Sequence, residues 1–317
     1  MVALLFPGQG SQELGMGQEL AQAFPEARAV FDEVDDALGQ SLTSVMWGED
    51  LQALTATANA QPAIMATSVA AYRALESVAG ASAMWSSLPS VAAGHSLGEY
   101  SAHVIAGSFD LATAARLLRI RGNAMQDAVA PGEGAMAAIL NVEMSTLEQI
   151  CADSVVGAGC CQIANDNAPG QIVISGDLAS VERAMAAATA AGAKRCVLLP
   201  VSAPFHCALM QPAQDAMAEA LAAADITDAT LPVLCNVDAK PIQRASETRD
   251  TLVRQVTGRV RWVDSVQAIA SGAEQQALEL GHGKVLAGLN RRIAKDLATH
   301  GVGTPAAVEA AAASLNA

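Results

Sequence analysis

The sequence predicts an α/β protein with a mainly parallel sheet and a smaller βαββαβ unit inserted into it. Short apolar runs at residues 2–6, 90–93, 233–236 and 276–280 alternate with longer helical patterns, which is typical of a parallel sheet. Residues 135–199 instead predict the order βαββαβ, which is the order of a ferredoxin-like unit. We therefore expect two separate sheets in this chain.

The first part of the larger unit starts with the strand at 2–6, followed by a loop at 7–11 whose two glycines allow a tight turn. Helical patterns then dominate from residue 19 to residue 79. Gly and Pro interrupt helices, so that long stretch is expected to be divided. The expected breaks lie near Gly39, at Trp47-Gly48 and at Gln61-Pro62.

The smaller unit is expected to be an inserted subdomain at residues 131–202, which leaves residues 1–130 and 203–317 to the larger domain. The polar run at 165–170 (Asn-Asp-Asn-Ala-Pro-Gly) predicts a turn between two of its strands. The Ala-rich tail from Thr304 is expected to fray. The predicted strands of the smaller unit are 135–141, 160–164, 171–175 and 195–199, and its helices are 145–152 and 178–191.

Composition and charge restrict the partners and the compartment. The 317 residues carry a formal net charge of −14, which disfavours nucleic acid and anionic membranes as partners. The N-terminal apolar run is too short for a signal peptide or a membrane span. Six cysteines show no zinc-binding spacing, so we expect reduced thiols. A cytoplasmic monomer without a metal or other cofactor is the resulting expectation.

A candidate nucleophile stands between the second strand and the helix after it. Residues 94–98 read Gly-His-Ser-Leu-Gly, the G-x-S-x-G pattern of a sharp strand-to-helix turn. The glycines prevent side-chain collisions at that turn, and the oxygen of Ser96 stands at a helix N-terminus that favours a developing negative charge. An ordinary strand-helix turn is the alternative, but the strand before and the helix after favour a nucleophile.

A serine nucleophile requires a general base, and two of the five histidines remain candidates. His95 adjoins the serine, where neighbouring side chains diverge, and His103 lies about two helical turns away. His300 falls in the polar tail. His206 and His282 each follow a strand-like run and could reach the carboxyl edge of a sheet. The pattern alone does not separate these two.

Each candidate base implies a different orienting group. His282 would suit the hydrolase order Ser…Asp…His, with Asp264 as the acid. His206 has no carboxylate nearby in sequence, so its orienting group would come from elsewhere in the chain.

Arg121 falls on the apolar stripe of the helix predicted at 111–128. An arginine on a core-facing stripe must find an anion. That anion is either a structural carboxylate of the protein or the carboxylate of a substrate held by a bidentate clamp.

Taken together, the motifs resemble those of the malonyl-CoA:acyl carrier protein transacylase family. The match extends from residues 6–12 (Phe-Pro-Gly-Gln-Gly-Ser-Gln) to residues 283–286 (Gly-Lys-Val-Leu). The resemblance implies a hydrolase-like α/β domain with a ferredoxin-like insertion. Between those ends the matching motifs are 94–100, Arg121-Gly122 with Met125-Gln126, 165–167 with 169–171, and 204–207.

The resemblance also implies the roles of the site residues. Ser96 would be acylated, and His206 would be the base, oriented by the main-chain carbonyl of Gln255. Arg121 would hold the malonyl carboxylate.

Further roles follow from the same resemblance or from position. Backbone amides of Gln9 and Leu97 would form the oxyanion hole, and Met125 would line the pocket. Phe205, beside the base, would restrict room near the substrate's alpha carbon, although plain core packing explains it equally well.

Two segments depart from the family's usual pattern. Many members read Gly-Pro-Gly-Lys at 281–284, where this chain has Gly-His-Gly-Lys, so the resemblance implies that His282 is not catalytic. Many also carry Asn-Pro-Val before the tryptophan that matches Trp262. This chain has Gly-Arg-Val-Arg at 258–261, close to the carbonyl expected to orient the base.

The implied reaction is a ping-pong transfer of malonyl from malonyl-CoA through Ser96 to acyl carrier protein, which would supply fatty acid biosynthesis. A serine hydrolase, with water as the acceptor, and a non-catalytic carrier-binding protein are the rival interpretations. Because acyl carrier proteins are acidic, we expect a local basic patch on this acidic chain. The residues proposed for it are Lys284, Arg291, Arg292 and Lys295, with a solvated helix face as the alternative.

Overall fold

The computed structural model describes residues 1–80, 89–274 and 276–315. Within them, a mixed α/β fold contains a six-stranded sheet in the order β10-β9-β1-β2-β7-β8. Neighbouring strands are parallel except for the edge pair β7–β8, which is antiparallel. The strands are β1 (Val2–Phe6), β2 (Pro89–Gly94), β7 (Val233–Leu234), β8 (Pro241–Ile242), β9 (Gln276–Leu280) and β10 (Ala298–Val302).

Helices flank this sheet, and the chain alternates between the two kinds of element as the sequence predicts. Their N-terminal group is α1 (Gln18–Ala23), α2 (Pro25–Leu38), α3 (Leu42–Met46), α4 (Leu51–Thr55), α5 (Thr57–Ala79), α6 (Gly98–Ile105) and α7 (Leu111–Asp127). Their C-terminal group is α10 (Gln211–Ala223), α11 (Ala245–Gln255), α12 (Trp262–Ala270), α13 (Val285–Ile293) and α14 (Pro305–Leu315), preceded by a 3₁₀ turn at Ala208–Met210.

A separate four-stranded sheet is antiparallel and has the order β4-β5-β3-β6. Its elements follow one another as βαββαβ, the order that the sequence predicts. They are β3 (Gly134–Leu140), α8 (Met144–Asp153), β4 (Cys161–Ala168), β5 (Gln171–Asp177), α9 (Leu178–Ala190) and β6 (Arg195–Leu198).

The central strand β1 explains why the larger sheet is buried on both faces. All five of its residues are buried, and Val2, Leu4 and Phe6 belong to a different apolar cluster from Ala3 and Leu5. Successive side chains of a strand point to opposite faces, so a parallel sheet covered by helices on both sides requires a continuous apolar run.

A membrane-spanning helix is not found among the described residues, because none of their helices combines the necessary length with sufficient apolar character.

The break predicted at Gln61-Pro62 is wrong, because α5 continues through Pro62 and begins only after Ala56. A proline inside a helix costs roughly 3 kcal/mol. The helix tolerates this because residues 60–71 are all buried, so tertiary packing outweighs the local penalty.

The turn predicted at 165–170 is also wrong in extent, since β4 continues to Ala168. Two hydrogen bonds to a segment outside the small sheet hold this extension. The amide of Val260 donates to the Ala164 carbonyl at 2.8 Å, and the amide of Asp166 donates to the Val260 carbonyl at 3.0 Å. No local pattern could indicate a partner almost a hundred residues away.

The prediction that the tail frays from Thr304 is wrong for residues 305–315, which are helical. His300 lies on β10, which pairs with β9, and residues 305–315 form α14. The buried residues Val308, Ala311 and Leu315 share one face of that helix, which packs against α5. The apolar residues of α14 have the spacing of an amphipathic helix, but the many alanines make that spacing hard to recognise in the sequence. The buried face contacts α5, which is distant in the chain.

Candidate active site

Ser96 lies at the abrupt turn between β2 and α6, with a left-handed backbone at φ 53°. The flanking glycines make this turn sterically feasible. A Cβ on Gly94 would overlap the backbone of Gly98, and a Cβ on Gly98 would overlap the carbonyl of Phe6. Because a non-glycine residue in this conformation costs roughly 1–3 kcal/mol, other contacts must hold the serine in place.

Asn236 supplies those contacts, and the sequence analysis did not identify it. Its side-chain oxygen accepts from the Ser96 amide at 2.7 Å, and its side-chain nitrogen donates to the Gly94 carbonyl at 2.7 Å. The available signal was its position two residues after the end of β7, at the carboxyl edge where parallel strands present polar groups.

His206 faces the serine, with Nε2 2.8 Å from Ser96 Oγ. Its other ring nitrogen, Nδ1, lies 2.9 Å from the carbonyl oxygen of Gln255 and 3.1 Å from that of Gly258. Since carbonyls only accept, Nδ1 must carry the proton, which leaves a lone pair on Nε2 directed at the serine hydroxyl. His206 also has a left-handed backbone, at φ 60°.

Burial, followed by the nearby Arg121 charge, lowers the pKa of His206 to about 3. The hydrogen bond to the Gln255 carbonyl acts in the opposite direction but is weaker. The imidazole is therefore neutral near pH 7, which is the protonation state that a general base needs.

The other histidines have different partners. His282 Nε2 lies 2.8 Å from Glu13 at the surface, and Asp264 pairs with Arg261 at 2.8 Å. The hydrolase-order alternative of His282 with Asp264 is therefore not assembled. His95 contacts Asn167 at 2.8 Å, and buried His103 contacts Ser108 at 2.9 Å.

Arg121 is 1 % exposed and its guanidinium points toward the nucleophile. Nη2 donates to Ser96 Oγ at 3.1 Å and to Gln255 Oε1 at 2.8 Å, while Nη1 donates to Gln61 Oε1 at 2.8 Å. Within the described part of the chain, no carboxylate lies within 4 Å of this guanidinium. Gln61 was not singled out from the sequence, where it served only to mark an expected helix break.

Gln9 and Leu97 present free backbone donors at the same place. Among residues 1–80, 89–274 and 276–315, neither amide donates a hydrogen bond to a protein acceptor, and both residues line the cavity above Ser96. Unpaired amides next to a nucleophile can stabilise an oxyanion.

The cavity has a volume of about 340 Å³ and lies between the two sheets. The larger unit contributes the serine, the histidine and the arginine, and the smaller unit contributes Met136, Asn165 and Val173. Met125 and Phe205 both line it, as the sequence analysis expects.

The segment 258–261, which departs from the family's pattern, is held on both sides. The Gly258 carbonyl accepts from His206, and Val260 forms an isolated parallel bridge with Asn165 of the small sheet. Both carbonyls therefore lie within hydrogen-bond distance of His206 Nδ1 despite the different sequence.

Comparison with known proteins gives a single family. The model of the acyl transferase domain matches residues 3–299. The malonyl CoA-acyl carrier protein transacylase of Escherichia coli K12 is 43 % identical over 309 residues, covering 98 % of each chain. A crystal structure of an acyl-carrier-protein-S-malonyltransferase from Bartonella henselae is 50 % identical, covers 100 % of each chain and superposes with a TM-score of 0.95. A malonyl-transacylase solved in complex with a type II PKS acyl-carrier protein is 42 % identical, covers 99 % of each chain and gives a TM-score of 0.94.

The low pKa of His206 predicts how acylation responds to acid. Its base form persists as the pH falls from 8 to about 5, so kcat/KM for malonyl-CoA should show no loss centred near pH 6.5, where an unperturbed imidazole titrates. The measurement is the pH profile of malonyl-CoA acylation.

The pH profile needs a control for Glu99, because burial raises the pKa of this carboxyl to about 7, within the pH range that the profile covers. The same profile should be recorded for Glu99→Gln. An acid limb near pH 6.5 that persists in this variant would contradict a neutral, desolvated base.

Proposed function

The chain belongs to the acyl transferase domain family, and from that membership we propose that it transfers malonyl from malonyl-CoA to the pantetheine thiol of acyl carrier protein. The product, malonyl-acyl carrier protein, supplies fatty acid biosynthesis. One observation carries the choice of acyl group: the buried Arg121 cation, which has no carboxylate within 4 Å among the described residues, stands 3.1 Å from the serine oxygen. A substrate carboxylate would satisfy that cation.

In the first half-reaction, Ser96 Oγ attacks the thioester carbonyl while its proton passes to His206 Nε2. The oxyanion accepts from the amides of Gln9 and Leu97, each of which contributes about 2.7–4 kcal/mol in comparable sites. Collapse of the intermediate breaks the carbon–sulfur bond. Coenzyme A then leaves as a thiol with the proton from His206.

The malonyl ester on Ser96 keeps its carboxylate on Arg121, which exchanges its bond to the serine oxygen for bonds to the substrate. In the second half-reaction, His206 takes the proton of the carrier's thiol as its sulfur attacks the ester. Ser96 leaves with that proton, so the enzyme returns to its starting state. These steps use only groups of the chain and its two substrates.

In this proposal, the six-stranded sheet belongs to a hydrolase-like domain at residues 1–130 and 203–317, and the four-stranded sheet belongs to a ferredoxin-like inserted subdomain. The antiparallel sheet lies between residues 134 and 198, within the proposed insertion at 131–202. Because the cavity is lined from both units, the insertion closes one side of the acyl pocket. Phe205 is 7 % exposed at this pocket, where it would limit the room beside the substrate's alpha carbon.

The carrier would approach a basic cleft on α13. Lys284, Arg291 and Lys295 line a cleft of about 450 Å³, and none of the described residues that line it is acidic. Arg292, on the same helix, instead donates to the Pro169 carbonyl at 2.8 Å and to Gln171. The contact of Arg292 joins the helix to the small sheet and so holds the helix in position. We assign carrier docking to Lys284, Arg291 and Lys295.

The proposed function predicts a covalent intermediate. Intact mass after mixing with malonyl-CoA should show one malonyl group on the wild type and none on Ser96→Ala, and added carrier should remove it. Steady release of coenzyme A without carrier and without an adduct would instead indicate a hydrolase, and no reaction at all would exclude malonyl as the substrate.

Arg121→Ala should lower malonyl transfer by roughly 100-fold while sparing a neutral acetyl group, since a malonyl carboxylate loses its partner and an acetyl group has no carboxylate to hold. The measurement is kcat/KM for malonyl-CoA and acetyl-CoA side by side. Equal losses for both substrates would contradict the clamp.

Reversing charge in the cleft, with Arg291→Glu and Lys295→Glu together, should raise KM for the carrier and leave KM for malonyl-CoA unchanged. The matched control reverses Arg116, an exposed cation on α7, in a variant Arg116→Glu. An unchanged KM for the carrier in the double variant would rule out this docking surface.

A further inference from the structure

Glu99 is a fully buried carboxylate that the proposed mechanism does not use. It lies in the first turn of α6, three residues after the nucleophile, and is 0 % exposed. It does not line the acyl cavity, so it does not touch the substrate. Burying a carboxylate is costly, which raises the question of what it contributes.

One oxygen of Glu99 makes all of its hydrogen bonds. Oε2 accepts from the side-chain nitrogen of Gln255 at 2.8 Å and from the Asn236 amide at 3.0 Å. Oε1 has no hydrogen-bond partner among the described residues. The hydrogen bonds of Glu99 are therefore concentrated where the end of α11 meets the turn at Ser96.

The amide of Gln255 connects this carboxylate to the substrate-binding cation. Its nitrogen donates to Glu99 and to the Ser96 carbonyl, at 2.8 and 3.0 Å, while its oxygen accepts from Arg121 at 2.8 Å. A flipped amide would place its nitrogen against the donors of Arg121 and its oxygen against two acceptors. In its ionised form, Glu99 can only accept hydrogen bonds and therefore opposes that flip.

We propose that Glu99 is a positioning residue for substrate selection: it locks the Gln255 amide, which in turn aims Arg121 at the acyl pocket. The proposal rests on the proposed function, because it takes binding of the malonyl carboxylate to be the role of Arg121. Electrostatics support the link, since the Arg121 charge acts to lower the pKa of Glu99 against the larger effect of burial.

The test is the ratio of kcat/KM for malonyl-CoA to kcat/KM for acetyl-CoA. Glu99→Ala removes the acceptor and should lower this ratio by about tenfold, because only the charged acyl group depends on Arg121. Glu99→Gln can place an oxygen where Oε2 lies, so it should keep the ratio within about threefold of wild type. An unchanged ratio in Glu99→Ala, or an equal loss in Glu99→Gln, would overturn the proposal.

A double-mutant cycle separates positioning from a general structural role. In an Arg121→Ala background, Glu99→Ala should change the ratio less than about twofold, because the group through which it acts is already gone. A further tenfold fall there would show that Glu99 acts by another route.

Glu99→Asp covers the case in which Glu99→Ala does not fold. It keeps the charge but withdraws the carboxylate by one methylene, so it should also lower the ratio. A wild-type ratio in Glu99→Asp would refute the positioning role. Formation of the malonyl adduct on Ser96 in the wild type tests the proposed function independently of all these ratios.

Discussion

The left-handed backbone at Ser96 is the constraint on which the rest of the site depends. It directs the serine oxygen away from β2 and into the cavity, and it leaves the amide of Leu97 facing the same space. Such a conformation persists only when its surroundings over-determine it. Here Gly94 and Gly98 leave room for the tight turn because they have no side chains. The two side-chain hydrogen bonds of Asn236 then hold the Ser96 backbone in place.

His206, the proposed base, is oriented by two main-chain carbonyls and not by a carboxylate. This choice has an electrostatic consequence, because a carboxylate beside the imidazole would raise its pKa, whereas carbonyl dipoles fix the tautomer with a much smaller effect. Burial then dominates and keeps His206 neutral. The proximity of Arg121 reinforces this outcome, so the cation proposed to recognise the substrate also helps to keep the base unprotonated.

Gln255 joins these parts into one unit. Its carbonyl holds His206, its side-chain oxygen holds Arg121, and its side-chain nitrogen holds the Ser96 carbonyl and Glu99. A residue at the C-terminal end of a helix can do this because the last carbonyls of a helix have no partner within the helix. The network places Arg121 and Glu99 on opposite sides of one amide, and the Arg121 charge favours the ionised form of Glu99 against the larger effect of burial.

The sequence by itself determined the elements whose signal is local. The apolar run of β1, the Gly-x-Ser-x-Gly turn around Ser96 and the position of Arg121 on a core-facing stripe depend on neighbours within a few residues, so their patterns could be interpreted directly. Resemblance to a family, and not pattern, selected His206 over His282. Only the tertiary structure decided the extension of β4, the packing of α14 and the roles of Asn236 and Gln61. These features depend on contacts with residues that are far away in the chain. The residues next to a position in the sequence do not indicate which distant group will contact it.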